Sequence, residues 1–255
     1  MEITAEQFAL IEHSLPIQRG NVSLSNHRGL SAILYVAEHG CKWRGLPKRF
    51  SNWHTVYTRM NRWAKAGVLD RVFEEMQKAQ IVRIKFEAVS LDSTSIKVHP
   101  DGMGALKKNG PQAIGKSRRG WNTKIHLVSA DARTAVTFSL SPGQAHDAPE
   151  GRALLQRLGA PDRPVHLLMD RAYEGNETRQ LALDLGCIPV VPSLSTRIEP
   201  WEYDQAMYKR RNEVERLFRR LKGYRRIFSH FEKLDLMFLG FINFMLIADG
   251  LRGLC

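Results

Sequence analysis

Tyr208, Arg211, Glu215 and Lys222 are side chains whose types and spacing suit one task, holding a phosphate chain beside a metal-binding acid. The segment 208–222, YKRRNEVERLFRRLK, reads as a single helix. At about 100° per residue, with Glu215 set at 0°, Tyr208 falls near +20°, Arg211 near −40° and Lys222 near −20°. These four form a narrow polar stripe. Val214, Leu217, Phe218 and Leu221 make an adjoining apolar stripe that can seat the helix on a core. Lys209, Arg216, Arg219 and Arg220 form a basic flank. Glu213 points away from the stripe and reads as a solvated surface residue. The plainer alternative is an amphipathic helix with an ordinary i,i+4 ion pair between Arg211 and Glu215. The other acids of the chain weigh against it.

Asp92 lies within VSLDSTS, inside an otherwise β-rich strand, where a bare carboxylate is disfavoured unless it has a cation, a partner or an open edge. Asp170 ends the apolar run HLLMD, at the carboxyl end of an expected parallel strand, where open α/β sheets place their ligands. Asp92, Asp170 and Glu215 together supply the hard oxygen donors that Mg²⁺ or Mn²⁺ prefer. Two such ions activate a water or a 3′-hydroxyl and stabilise the departing oxygen of an in-line phosphoryl displacement. Arg211 would grip phosphate oxygens bidentately and Lys222 as a point charge. Tyr208 would orient a carboxylate or a phosphate through its hydroxyl. Other polar residues read as structural. Asp131 suits a hairpin turn, and His146, Asp147 and His166 suit element ends. Ser93, Thr94 and Ser95 have no His-Asp context for a serine nucleophile.

The elements that must position these acids follow from periodicity. Residues 1–80 read as helical. One helix is expected near 28–39, and another runs from a cap at Ser51 to a stop at Gly67. Together they predict a small all-α N-terminal domain that could read DNA, with Arg59 and Arg62 on its polar side. From residue 86 the period shifts to strand. Strands are expected at 86–98, 121–129, 134–140, 165–169 and 188–191, with helices at 147–159 and 176–186. Residues 99–120 read as a flexible basic loop carrying Lys107, Lys108, Lys116, Arg118 and Arg119 as further DNA contacts. The order β-β-β-α-β-α-β-α implies an α/β fold, a mixed ribonuclease H-like sheet with flanking helices. In such folds acids from the first strand, the fourth strand and a late helix converge. The division expected is therefore 1–80 and 86–255.

Composition narrows the partners. The 255 residues carry 38 basic and 26 acidic side chains, a formal charge of +12. That balance points to a polyanion, most simply nucleic acid. Cys41, Cys187 and Cys255 are far apart and show neither zinc-ligand spacing nor a disulfide framework, which fits a reducing cytosol. No signal peptide is visible. Residues 234–251 are apolar but include Asp235, Asn243 and Asp249, so a buried terminal helix is expected rather than a membrane span.

At this point the chain resembles bacterial insertion-sequence transposases of the DDE type, specifically insertion-sequence family five. LDST at 91–94 resembles the first-Asp motif and LMDRAY at 168–173 the second. Tyr208, Arg211, Glu215 and Lys222 match the Y-x2-R-x3-E-x6-K signature, with Glu215 as third acid. WRGLP at 43–47 and the helix after it resemble the helical region that precedes the catalytic domain in that family. The resemblance implies a ribonuclease H-like core, a divalent metal and binding to terminal inverted repeats. It implies cleavage at the element's ends followed by strand transfer into target DNA, by a cytoplasmic, nucleoid-associated protein. Bringing two ends together implies a homodimer on DNA. Two rival readings stay open. A structure-specific nuclease on the same fold would cut branched DNA without joining ends, and a regulator would bind DNA without chemistry.

Overall fold

The computed structural model describes residues 2–78, 87–105 and 110–253. In chain order the helices and strands are α1 Ala5–Ile11, α2 Asn26–His39, α3 Trp53–Lys65, α4 Val68–Lys78, β1 Ala88–Val98, β2 Gly115–Ser117, β3 Gly120–Ser129 and β4 Ala135–Pro142. They continue with α5 Asp147–Leu158, β5 Val165–Met169, α6 Asn176–Asp184, β6 Cys187–Val190, α7 Gln205–Tyr208, α8 Asn212–Gly223, α9 Arg225–Phe228, β7 Ser229–His230 and α10 Asp235–Arg252. The chain divides into two compact units, one of Met1–Arg83, Lys97–Gln112 and Leu221–Cys255, the other of Ile84–Ile96 and Ala113–Arg220.

The second unit is built on a mixed sheet in the order β2-β3-β1-β5-β6, with β4 paired antiparallel to β3. β1, β5 and β6 run parallel. This is the mixed α/β sheet with flanking helices that the element order implied. Side chains alternate across it. Val89, Leu91, Val165, Leu167 and Met169 face a core closed by Leu154 and Leu155 of α5 and Ala182 of α6. Ala88, Leu168 and Val190 face the other way, against Tyr203, Met207 and Tyr208.

Several sequence expectations shift here. The expected single helix over 208–222 is broken: α7 ends at Tyr208, a 3₁₀ turn covers Lys209–Arg211, and α8 starts at Asn212. A uniform 100° step therefore does not run through the whole segment, yet Arg211 and Glu215 still pair at i,i+4. The segment expected as a loop holds a 3₁₀ turn at Pro100–Gly102 and strand β2, which forms a hairpin with the start of β3. Lys107 and Lys108 lie outside the described residues. The α3 cap is Asn52, whose side chain accepts from the His54 N–H at 2.9 Å. Ser51 instead sits at φ 125°, outside the usual range for a residue with a Cβ. Asn176 is the first residue of α6, and Gly175 precedes it as the cap.

The first unit is helical. Ser25 caps α2 by accepting from the Arg28 N–H, and Gly40 ends it at φ 64°. Buried Leu30, Ile33, Leu34 and Ala37 give α2 a continuous apolar face. The apolar terminal segment is a helix of this unit. On α10, Gly240 lies so close to α3 that a Cβ would stand 3.0 Å from Met60 Cε and 3.2 Å from Ala64 Cβ. Asn243 of α10 donates to Asp70 of α4 at 2.6 Å. Packing thus groups residues 221–255 with the N-terminal helices. Among the described residues no helix is long and apolar enough to cross a membrane.

Candidate functional site: three carboxylates around an arginine

The parallel register pairs Leu91 of β1 with Met169 of β5. The next residues, Asp92 within β1 and Asp170 just past the end of β5, are therefore neighbours where β5 stops. Parity adds direction. Asp92 shares a side with Ala88 and Ser90, the face that Tyr208 packs against. That places it beside the turn leading into α8. There Arg211 Nη1 donates to Asp92 Oδ2 at 2.9 Å, and its Nη2 donates to Glu215 Oε1 at 2.8 Å. Glu215 sits in the first turn of α8, where the helix dipole favours a carboxylate. The Tyr208 ring lies 5.8 Å from the Arg211 guanidinium and meets Tyr203 edge to face.

Local backbone holds both aspartates. Ser93 N–H donates to Asp92 Oδ1 at 2.7 Å, and Ala172 N–H to Asp170 Oδ1 at 2.8 Å. The second bond makes Asp170 the cap of a 3₁₀ turn over Arg171–Tyr173. Asp92 is 8% exposed. Burial raises its carboxyl to about 6, and the charges of Asp170 and Glu215 push the same way against Ser93 N–H and Arg211. Asp170 is raised as well, by burial first and by Asp147. Burial alone would lower the Arg211 pKa, but Asp92, Tyr208, Glu215 and Asp170 outweigh it and raise it. The site therefore carries more negative charge than its one guanidinium offsets.

The donor chemistry fits Mg²⁺ or Mn²⁺, since the three groups are carboxylates, the hard oxygen donors these ions take. The spacing fits only in part. Among the described residues no three His, Cys, Asp or Glu side chains stand close enough to share an ion, and Arg211 bridges two of the acids instead.

The other expected residues are distributed differently. Burial lowers the Lys222 ammonium, which belongs to the segment grouped with the helical unit. Glu213 is half-buried rather than fully solvated. Lys116, Arg118 and Arg119 are exposed on the β2–β3 hairpin, and Arg62 is exposed on α3. Arg59 turns inward, donating to Leu24 O at 2.7 Å and Ser25 O at 2.9 Å. Sequence reasoning assigned Asp147 to structure alone. Its carboxylate accepts from Lys124 Nζ at 2.8 Å, and its charge reaches both Asp170 and the Tyr173 hydroxyl. Tyr173 is buried, and burial with the nearby acids raises its pKa. The available signal was Lys124 and His126 two apart on one face of β3, followed by an acid opening the next helix.

Comparison with known proteins matches residues 3–73 to a family model described as "Putative transposase of IS4/5 family", and residues 84–247 to one described as "Transposase DDE domain". A Brucella ovis protein described as "Putative transposase for insertion sequence element IS6501" is 30% identical over 131 residues, 51% of this chain and 98% of that protein. The uncharacterized protein y4sN of Sinorhizobium fredii is 31% identical over 97 residues, 38% of this chain and 71% of that one. Among solved structures, a piggyBac transposase synaptic complex with hairpin DNA aligns at TM-score 0.48 and 10% identity, covering 97% of this chain and 72% of that one. A Mos1 transposase paired-end complex aligns at TM-score 0.28 and 11% identity, covering 84% and 80%.

Proposed function

Matching the transposase DDE domain over residues 84–247, the chain belongs to the DDE transposases of insertion sequences; from that premise we propose that it cuts the ends of its element and joins the freed 3′-hydroxyls to target DNA. The observation that carries this reading is the gathering of Asp92 from within β1, Asp170 from just past β5 and Glu215 from α8 around Arg211. Asp92, Asp170 and Glu215 would hold two Mg²⁺ or Mn²⁺ ions. When bound, these supply a Lewis acid for the departing oxygen and lower the pKa of the attacking water or hydroxyl.

The chain's own groups do the rest. Ser93 and Ala172 N–H groups hold Oδ1 of Asp92 and of Asp170, so Oδ2 of each is the oxygen that would ligate. Arg211 offers a planar fork that a phosphate can take bidentately. Tyr208 backs that fork with its ring, and Lys222 adds a positive charge for the DNA backbone. Exposed Arg62 of the helical unit and exposed Lys116, Arg118 and Arg119 of the other unit's hairpin would each offer charge to double-stranded DNA, both terminal repeats and target. Lys107 and Lys108 complete the set proposed from sequence. A homodimer on DNA would hold two ends at once.

The test is Mg²⁺-dependent cleavage and strand transfer on labelled duplexes carrying the element's ends. Glu215→Gln should lower cleavage at least about a hundredfold while Glu213→Gln stays within a few-fold of wild type, the span expected when one transition-state interaction is removed. Equal activity in both variants would discard Glu215 as a ligand. Cutting of branched DNA without joining would favour the structure-specific nuclease.

A further inference from the structure

The guanidinium of Arg211 lies between carboxylates that, in the proposed function, belong to a metal. Its two terminal nitrogens are spent on Asp92 and Glu215, at 2.9 and 2.8 Å. The side chains of Arg211 and Asp92 are only 20% and 12% exposed, so water screens this contact weakly. Meanwhile Asp170 adds a third negative charge within reach of the same guanidinium. As arranged, the three acids share an internal cation and no three of them are spaced to share an ion.

We infer that Arg211 is an exchangeable counter-cation, which keeps divalent metal affinity low in the DNA-free protein and releases the carboxylates when a DNA phosphate takes over its fork. The inference rests on the reading of Asp92, Asp170 and Glu215 as metal ligands. A phosphate satisfies the same two parallel N–H donors that a carboxylate satisfies, so the exchange costs Arg211 no hydrogen bonds. The backbone suits the movement. Arg211 closes a three-residue 3₁₀ turn just before α8, whereas Glu215 is fixed within the helix. Removing the guanidinium leaves two carboxylates with unspent oxygens beside Asp170, the condition a hard cation requires. Linkage makes the effect reciprocal: whatever factor DNA adds to metal affinity, metal adds to DNA affinity.

The experiment is a titration of the full chain with Mn²⁺ alone, following free Mn²⁺ by electron paramagnetic resonance, with and without a short duplex whose own Mn²⁺ uptake is subtracted. Wild type should bind Mn²⁺ about tenfold more tightly with the duplex present, within the usual range of coupling. Arg211→Gln should bind about tenfold more tightly than wild type without DNA and gain little on adding it. Arg211→Lys separates occupancy from charge. It keeps the positive charge but has no fork to bridge two carboxylates, so it should also bind Mn²⁺ several-fold more tightly than wild type, a change of the size seen for modest coupling. A lysine variant indistinguishable from wild type, or a glutamine variant that binds Mn²⁺ no better, overturns the inference. Asp170→Asn and Glu215→Gln report on the premise. If both bind Mn²⁺ as wild type does, the ligand assignment itself fails. If both lose binding while Arg211→Gln gains none, only the exchange fails. Melting curves on every variant confirm that folded protein is compared.

Discussion

At the scale of single residues, Asp92 shows what the site costs the fold. Its carboxyl titrates at about 6 in the folded chain against an ordinary 3.8. A raised acid pKa means the folded state holds the proton more firmly than the unfolded one. The associated stability is complete below pH 3.8 and is lost as pH rises through about 6, a difference on the order of 3 kcal/mol. Asp92→Asn should therefore melt higher than wild type at neutral pH and converge with it in acid. A variant whose melting temperature fell with pH as steeply as wild type would assign the titration to another group. The acids themselves were legible in the sequence. A carboxylate inside a strand and another at a strand's carboxyl end violate local preference, and the periodicity of α8 turned Glu215 towards its neighbours. The partner of those acids was less legible. Arg211 was read as a phosphate grip, with an i,i+4 pair to Glu215 as the plainer alternative, but a periodicity argument cannot show that Asp92, 119 positions away, reaches the same guanidinium. Asp147 stayed hidden for a similar reason, since its pairing with Lys124 of β3 spans 23 positions.

At the scale of elements, the turn after β5 depends on a glycine of α5. A Cβ at Gly151 would stand 2.5 Å from Tyr173 Cε1 and 3.1 Å from Leu91 Cδ2. Tyr173 closes the turn that Asp170 caps, and Leu91 precedes Asp92, so one methyl group would press on both aspartates. Gly151→Ala should lower stability by about 1–3 kcal/mol, the usual cost of overpacking, and slow cleavage as well. Its urea midpoint measures the first effect. An unchanged midpoint would show that the Tyr173 ring moves aside freely. Strands β1, β4 and β5 were readable because alternation and apolar runs mark them. The break before α8 was not, since no glycine or proline interrupts KRRN and each residue there tolerates a helix. Strand β2 escaped notice because three residues are too few to display a period.

At the scale of the whole molecule, the net charge of +12 calls for a polyanion, and the described basic side chains divide into two kinds. Arg59 and Arg226 turn inward, the latter onto Glu232 at 2.9 Å. Arg118 and Arg119 project from the tip of the β2–β3 hairpin. Replacing both tip arginines with alanine should weaken binding to any duplex and reduce the slope of log affinity against log salt by about 1–2. Unchanged affinity and slope would remove the hairpin from the DNA interface. Composition forecast the charge but not this division, because inward arginines are chosen by carbonyls and carboxylates that only the folded chain brings near.

The helical unit is assembled from three stretches of chain, the last beginning at Leu221. On a ribosome the chain emerges from its beginning, so α3 and α4 are made long before α10, whose Gly240 lies against Met60 and Ala64 and whose Asn243 reaches Asp70. Throughout that interval their apolar faces need shelter, from a chaperone or from one another. A message cut short after Glu215 would release a chain holding all three proposed ligands but lacking the helix that finishes its own beginning. Truncated copies of this gene should therefore yield insoluble protein or degradation products rather than a smaller DNA-binding competitor.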